Sequence, residues 1–165
     1  MPIILKASDV ADEVVSCNPY IKPCSTVLTL NYDFHGRTVD DHKIADKVYL
    51  FIHVGCYLGQ YKPLVLSDNY ETNTWYFPLI SKWQTEMYSN TEKEGVKSDH
   101  NPPRADILNY KNRTGQELDY VLLLFPFNKM DTHEYTQEIK YQLSKAYMMV
   151  YTSKSGRVVL YEKIK

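Results

Sequence analysis

Residues 138–152 read EIKYQLSKAYMMVYT. Ile139, Tyr141 and Leu143 alternate with polar neighbours, and a period of two predicts one long β-strand over Glu138–Thr152. Ser153-Lys154-Ser155-Gly156 is turn material, and Arg157–Glu162 reads as a final strand beyond it. Upstream, Ala105–Lys111 and Leu118–Phe127 flank Asn112-Arg113-Thr114-Gly115, where glycine supplies a positive φ, so this stretch predicts a hairpin. Thr26–Tyr32 alternates, and Lys47–Val54 is β-branched and aromatic throughout; both read as strands. Leu58–Leu66 reads as an edge or interrupted strand, because Pro63 cannot donate to a ladder.

Two helical signals stand apart from this β pattern. Val10, Val14 and Val15 fall near one face of one or two helical turns before Ser16, with Ser8 as an N-cap. Trp75, Tyr76, Leu79, Ile80, Trp83 and Met87 recur at helical spacing across residues 72–90, and Pro78 there marks a first turn or a kink. The expectation is a mainly β (α+β) protein: an antiparallel barrel or sandwich with one flanking helix around 72–90. One domain spans 1–165, with exposed polar loops at 33–46 and 91–104.

The chain has 165 residues, 19 basic and 20 acidic, for a net charge of −1. That balance gives no domain-wide positive field of the kind that supplies most non-specific nucleic-acid affinity. The longest apolar run, Val121–Phe125, is far too short to cross a bilayer. With no secretory or transit signal at the start, the reading is a soluble protein made in a cytoplasm. Cys17, Cys24 and Cys56 form no CxxC pair and read as reduced, small hydrophobes.

Few residues suggest chemistry. His35, Asp40 and His42 in the first long loop are weak candidates for a divalent metal, since imidazole and carboxylate suit such an ion, but no helical i, i+4 ligand pair is present. Asp99-His100 sits in a polar loop without the partners a nuclease would need. There is no GxSxG, GxGxxG, HExxH or Gly-rich phosphate loop, and the expectation is a non-enzymatic protein without a cofactor. The 15 tyrosines are the strongest compositional signal. Tyrosine combines an apolar body with a polar tip and is at home in subunit interfaces. Tyr141, Tyr147, Tyr151, Trp75 and Trp83 are the interface candidates.

The order of these segments is similar to a known pattern. Leu64-Val65-Leu66-Ser67-Asp68-Asn69 leads into a helix ending Leu79-Ile80-Ser81-Lys82-Trp83. A polar loop, a Tyr110/Tyr120 hairpin closing on Phe125-Pro126, and a long alternating strand follow. Over residues 60–152 this resembles the tail tube proteins of contractile bacteriophages. The resemblance implies a small β-barrel or sandwich that assembles as stacked hexameric rings around a DNA channel. It implies a virion location, a homo-oligomeric ring or tube contacting other tail proteins, and DNA only as passing cargo. A baseplate or tail-completion protein fits the same pattern. The alternative reading is a single-stranded nucleic-acid-binding β-barrel, in which exposed tyrosines stack bases.

Overall fold

The computed structural model describes residues 3–38, 40, 42–66, 88–89, 103–126 and 132–165. The central feature is an open five-stranded sheet in the order β2-β1-β5-β7-β6. Its strands are β1 (Ser25–Asn31), β2 (Leu64–Leu66), β5 (Tyr120–Leu124), β6 (Tyr147–Thr152) and β7 (Val158–Lys163). β1 runs parallel to both β2 and β5, with Val27 opposite Tyr120 and Asn31 opposite Leu124. β7 is antiparallel to β5 and to β6. A separate two-residue ladder pairs β3 (Tyr88–Ser89) with β4 (Arg104–Ala105).

β1 and β5 lie in the middle of the sheet with both faces covered; β5 reads as a continuous apolar run, whereas β1 also buries the polar Ser25, Thr29 and Asn31. Their side chains divide between two cores. Val27, Tyr120, Leu122 and Leu124 join Val158 and Leu160 beneath helix α1 (Ile3–Val15), whose Ala7, Val10, Ala11 and Val14 form the inward stripe. Leu28, Leu30, Val121 and Leu123 face the other way, toward helix α3 (Glu134–Ala146) with Ile139 and Leu143 inward. α1 begins well before Ser8, so Ser8 is mid-helix rather than a cap.

The expected antiparallel barrel or sandwich is therefore corrected to a mixed, partly parallel open sheet with helices on both faces. Three local readings changed with it. The long strand 138–152 is helix α3 followed directly by β6. Ile139 and Leu143 are buried one turn apart, whereas Tyr141, taken for the same strand face, is exposed. Glu, Gln, Lys, Leu and Ala are strong helix formers, and their density from Glu134 to Ala146 outweighs a three-residue alternation. Gln142 fixes the helix: its Oε1 accepts from the Ile107 N–H (2.6 Å) and its Nε2 donates to the Ala105 carbonyl (2.9 Å).

Where the end of the first arm and the turn of a hairpin were expected, a short helix α2 (Tyr110–Thr114) stands, stopped by Gly115, while the second arm forms β5. Gly115 has φ +74° and donates to the Lys111 carbonyl, so its positive φ serves a helix C-terminus rather than a β-turn. The strand expected at Lys47–Val54 does not form either. Its backbone groups are claimed locally: Asn31 Nδ2 donates to the Phe51 carbonyl (2.8 Å), and the Phe51 N–H donates to the Phe34 carbonyl (3.0 Å). The segment continues into a 3-10 helix, Val54–Gln60, packed against α1.

Two expectations hold. β1 lies where the Thr26–Tyr32 alternation put it, and β6 turns into β7 through Ser153–Gly156, with Gly156 at φ +74°. Of the edge strand expected over Leu58–Leu66 only β2, immediately after Pro63, forms at one sheet edge, and Leu58–Gln60 belong to the 3-10 helix. The helix expected around 72–90 falls outside the described residues except at Tyr88–Ser89, which are strand β3. Most of the loop 91–104 lies outside them too.

Candidate interaction surface

In open α/β sheets a ligand commonly sits beyond the carboxyl ends of the parallel strands, where the chain order switches sides. Here that point lies between β1 and β5, because the chain leaves β1 for β2 on one side and returns to β5 on the other. The protein's own side chains fill it. Phe51 and Phe125 are buried with rings 5.7 Å apart, and Asn31 is buried beside them through its bond to Phe51. Phe125 holds φ +55° as its N–H donates to the Arg157 carbonyl (2.7 Å).

The polar residues that follow β1 are likewise engaged. Asp33 is 3% exposed; its Oδ1 accepts from the His35 N–H (2.9 Å) and its Oδ2 pairs with the Arg37 Nε. Its own N–H donates to Asn31 Oδ1 (3.0 Å). His35, also buried, holds the Ala45 and Val48 carbonyls near its Nδ1 (2.7 and 3.2 Å). Of the loop 33–46 expected to be exposed, Asp33, His35, Ile44 and Ala45 are buried, while Asp40, His42 and Asp46 are exposed. The candidate metal trio is split by this arrangement. His35 is inside, Asp40 and His42 are exposed, and among the described residues no three His, Cys, Asp or Glu side chains are grouped to hold a metal.

The tyrosines proposed as interface material also separate. Tyr147 is buried and donates to the Leu118 carbonyl (2.9 Å), and burial raises its hydroxyl's pKa well above the ordinary value. Tyr151 is half-buried, bonded to Ser16 Oγ (2.6 Å), with its ring 4.9 Å from that of Tyr20. Tyr141 alone stands out from the surface, with Lys145 over its ring. Trp75 and Trp83 lie outside the described residues. Cys17 is buried and its thiol is pushed up to about 12 by desolvation, consistent with a small hydrophobe; Cys24 and Cys56 are exposed.

Two open clefts are lined by charged and polar side chains, several of them paired with one another. One, about 370 Å³, lies at the amino ends of β1 and β5. Its Glu117 pairs with Lys111 and Lys163, which lower that carboxyl to about 2, and its Glu162 pairs with Lys22. The other, about 450 Å³, separates α1 from the β6–β7 turn. Behind it Glu13 bonds Ser155 and pairs with Arg157 at 3.1 Å, tying the helix to the hairpin.

What remains unspent is apolar. Between β1 and β2, Val48, Tyr49, Leu50, Ile52, Tyr57 and Tyr61 are each at least 40% exposed. They occupy a stretch, Val48–Tyr61, that contains no Lys, Arg, Asp or Glu. Its inward members anchor it: Phe51, Val54 and Leu58 are buried in the α1-side core. Tyr49 is braced from behind by the His35 ring at 5.0 Å and the Phe34 ring at 6.0 Å. The sequence signal was present as an absence of charge, but strand propensity directed the reading elsewhere. No protein-family model, no curated protein and no solved structure matches the chain. Among the described residues, no helix is long and apolar enough to cross a membrane.

Proposed function

We propose that the protein is a structural subunit that works by self-association rather than by catalysis. The observation that carries this reading is the exposed, charge-free stretch Val48–Tyr61 on a protein whose buried polar side chains are largely engaged in internal locks. Concentrated exposed apolar surface on a soluble domain marks an interaction site. The resemblance to tail tube proteins supplies the same class of role. Its hairpin and long strand are α2 and α3–β6 here, so the proposal keeps the class and does not rest on that family.

Sheet-edge pairing of the kind a tube barrel uses has little support. β2 has three residues, and β6 carries a bulge between Met149 and Tyr151; short edges and bulges both blunt strand addition. Base stacking is also disfavoured. Tyr49, Tyr57 and Tyr61 are exposed, but their stretch supplies no cation to track a phosphate backbone. Sedimentation velocity across a wide range of protein concentration tests the proposal. A mass that rises with concentration and is insensitive to salt is expected, and a strict monomer throughout overturns it.

A further inference from the structure

We infer that the face presented by Val48–Tyr61 is an isologous, two-fold contact with a second copy of this chain. The inference rests on the self-association reading and adds the surface, the partner and the symmetry.

Three observations carry the inference, and the first bears on the choice of a second copy over a charged partner. The first is charge. In a two-fold interface each residue near the axis meets its own kind, so a lysine there would face a lysine. Val48–Tyr61 is fourteen residues without one formal charge, leaving His53 as its only basic side chain. A surface built for a charged partner would carry complementary charges to steer it, and this one carries none. The near-zero net charge of the chain, −1, also leaves little long-range repulsion between copies.

The second is area. A fully exposed aromatic side chain presents about 150–250 Å², and aliphatic ones somewhat less, so the six exposed fractions amount to roughly 600 Å². Doubled by symmetry this is about 1,200 Å², the lower end of the range for specific protein–protein interfaces. The third is rigidity. Tyr57 lies within, and Tyr61 just after, a 3-10 helix whose Val54 and Leu58 are held in the core. Tyr49 is backed by Phe34 and His35. Anchored aromatics lose little conformational freedom on docking and are the residue type that dominates binding energy at interface centres.

The test uses paired charge variants. Tyr57→Lys with Tyr61→Lys places like charges across the axis, and so does Tyr57→Glu with Tyr61→Glu. Each double variant alone is expected to sediment as a monomer at concentrations where the wild type is a dimer, with at least a tenfold weaker association. An equimolar mixture of the two is expected to recover the dimer, because lysine then meets glutamate. A second measurement needs no substitution: amide hydrogen exchange of the wild type at low and high concentration, with slowing expected within residues 48–61.

A wild type that stays monomeric overturns self-association and this contact together. Assembly that survives in both variants, or slowed exchange confined to another surface such as β6, overturns the contact and leaves self-association standing. Monomeric variants that fail to recover on mixing overturn the two-fold arrangement. A wild type that dimerises only in the presence of lipid vesicles or another added protein overturns the choice of a second copy as the occupant.

Discussion

Two consecutive stretches of the chain, 33–45 and 48–61, solve opposite problems. The first is polar and goes in: Asp33 and His35 are buried, and each is held by hydrogen bonds to neighbouring backbone. The second is apolar and half of it stays out. They are coupled, because Asn31 and His35 use their side chains to hold the carbonyls of Ala45, Val48 and Phe51. Backbone acceptors that a sheet would have used are satisfied by side chains instead, so a strand-prone segment is left outside the sheet. Burying polar groups is tolerable when each has a partner, and here that satisfaction is what presents the apolar stretch at the surface.

This contrast separates folding from assembly, and substitutions in the two stretches should divide accordingly. The largest expected effect is at Asp33. Asp33→Ala removes the acceptor of the buried His35 N–H and the buried carboxylate paired with the partly exposed Arg37. Breaking a buried ion pair by deleting one partner costs about 3–5 kcal/mol. The unfolding free energy of the protomer should fall by that amount, read as a lower denaturant midpoint with an unchanged slope. A loss below about 1 kcal/mol would show that the loop is held by other means.

Gly36→Ala comes next. Gly36 has φ +68°, and a Cβ there would run into the ring of Phe51, the buried aromatic of the stretch 48–61. Left-handed backbone strain of about 1–3 kcal/mol adds to the displacement of a buried ring. A drop of at least ~2 kcal/mol in unfolding free energy is expected, again with the protomer as the thing damaged. Equal stability would mean that Phe51 can leave its place between β1 and Phe125 without penalty, which would weaken the link between the two stretches.

The same contrast explains which parts of the molecule were legible beforehand. β5 was, because a strand covered on both faces has room for little except apolar residues, and β1 was through the alternation over Thr26–Tyr32. The β6–β7 turn was, because Gly156 at a positive φ after two serines is local chemistry. α3 was misread at Tyr141, an exposed aromatic that happened to complete an alternation with Ile139 and Leu143. The crossover was misread for a different reason: the groups that keep it out of the sheet belong to Asn31 and His35, more than ten residues away. Its lack of charge was visible in the sequence, but exposure is a property of the folded chain. Nor can spacing tell that the His35 imidazole lies against the backbone carbonyls of Ala45 and Val48.

The smallest expected effect on the fold, and the sharpest test of the division, is at Tyr61, which is 61% exposed just beyond the 3-10 helix. Surface substitutions of this kind leave protomer stability within about 0.5 kcal/mol, so Tyr61→Ser should unfold at the wild-type denaturant midpoint when both are measured at high dilution. Association changes what is seen at higher concentration. A contact made only between folded copies stabilises them by mass action, so the wild-type Tm should climb with protein concentration. Tyr61→Ser should flatten that dependence while Asp33→Ala lowers the whole curve at every concentration. A Tyr61→Ser protein that loses stability equally at high dilution would show that the crossover is part of the fold's own support rather than surface left over for a partner.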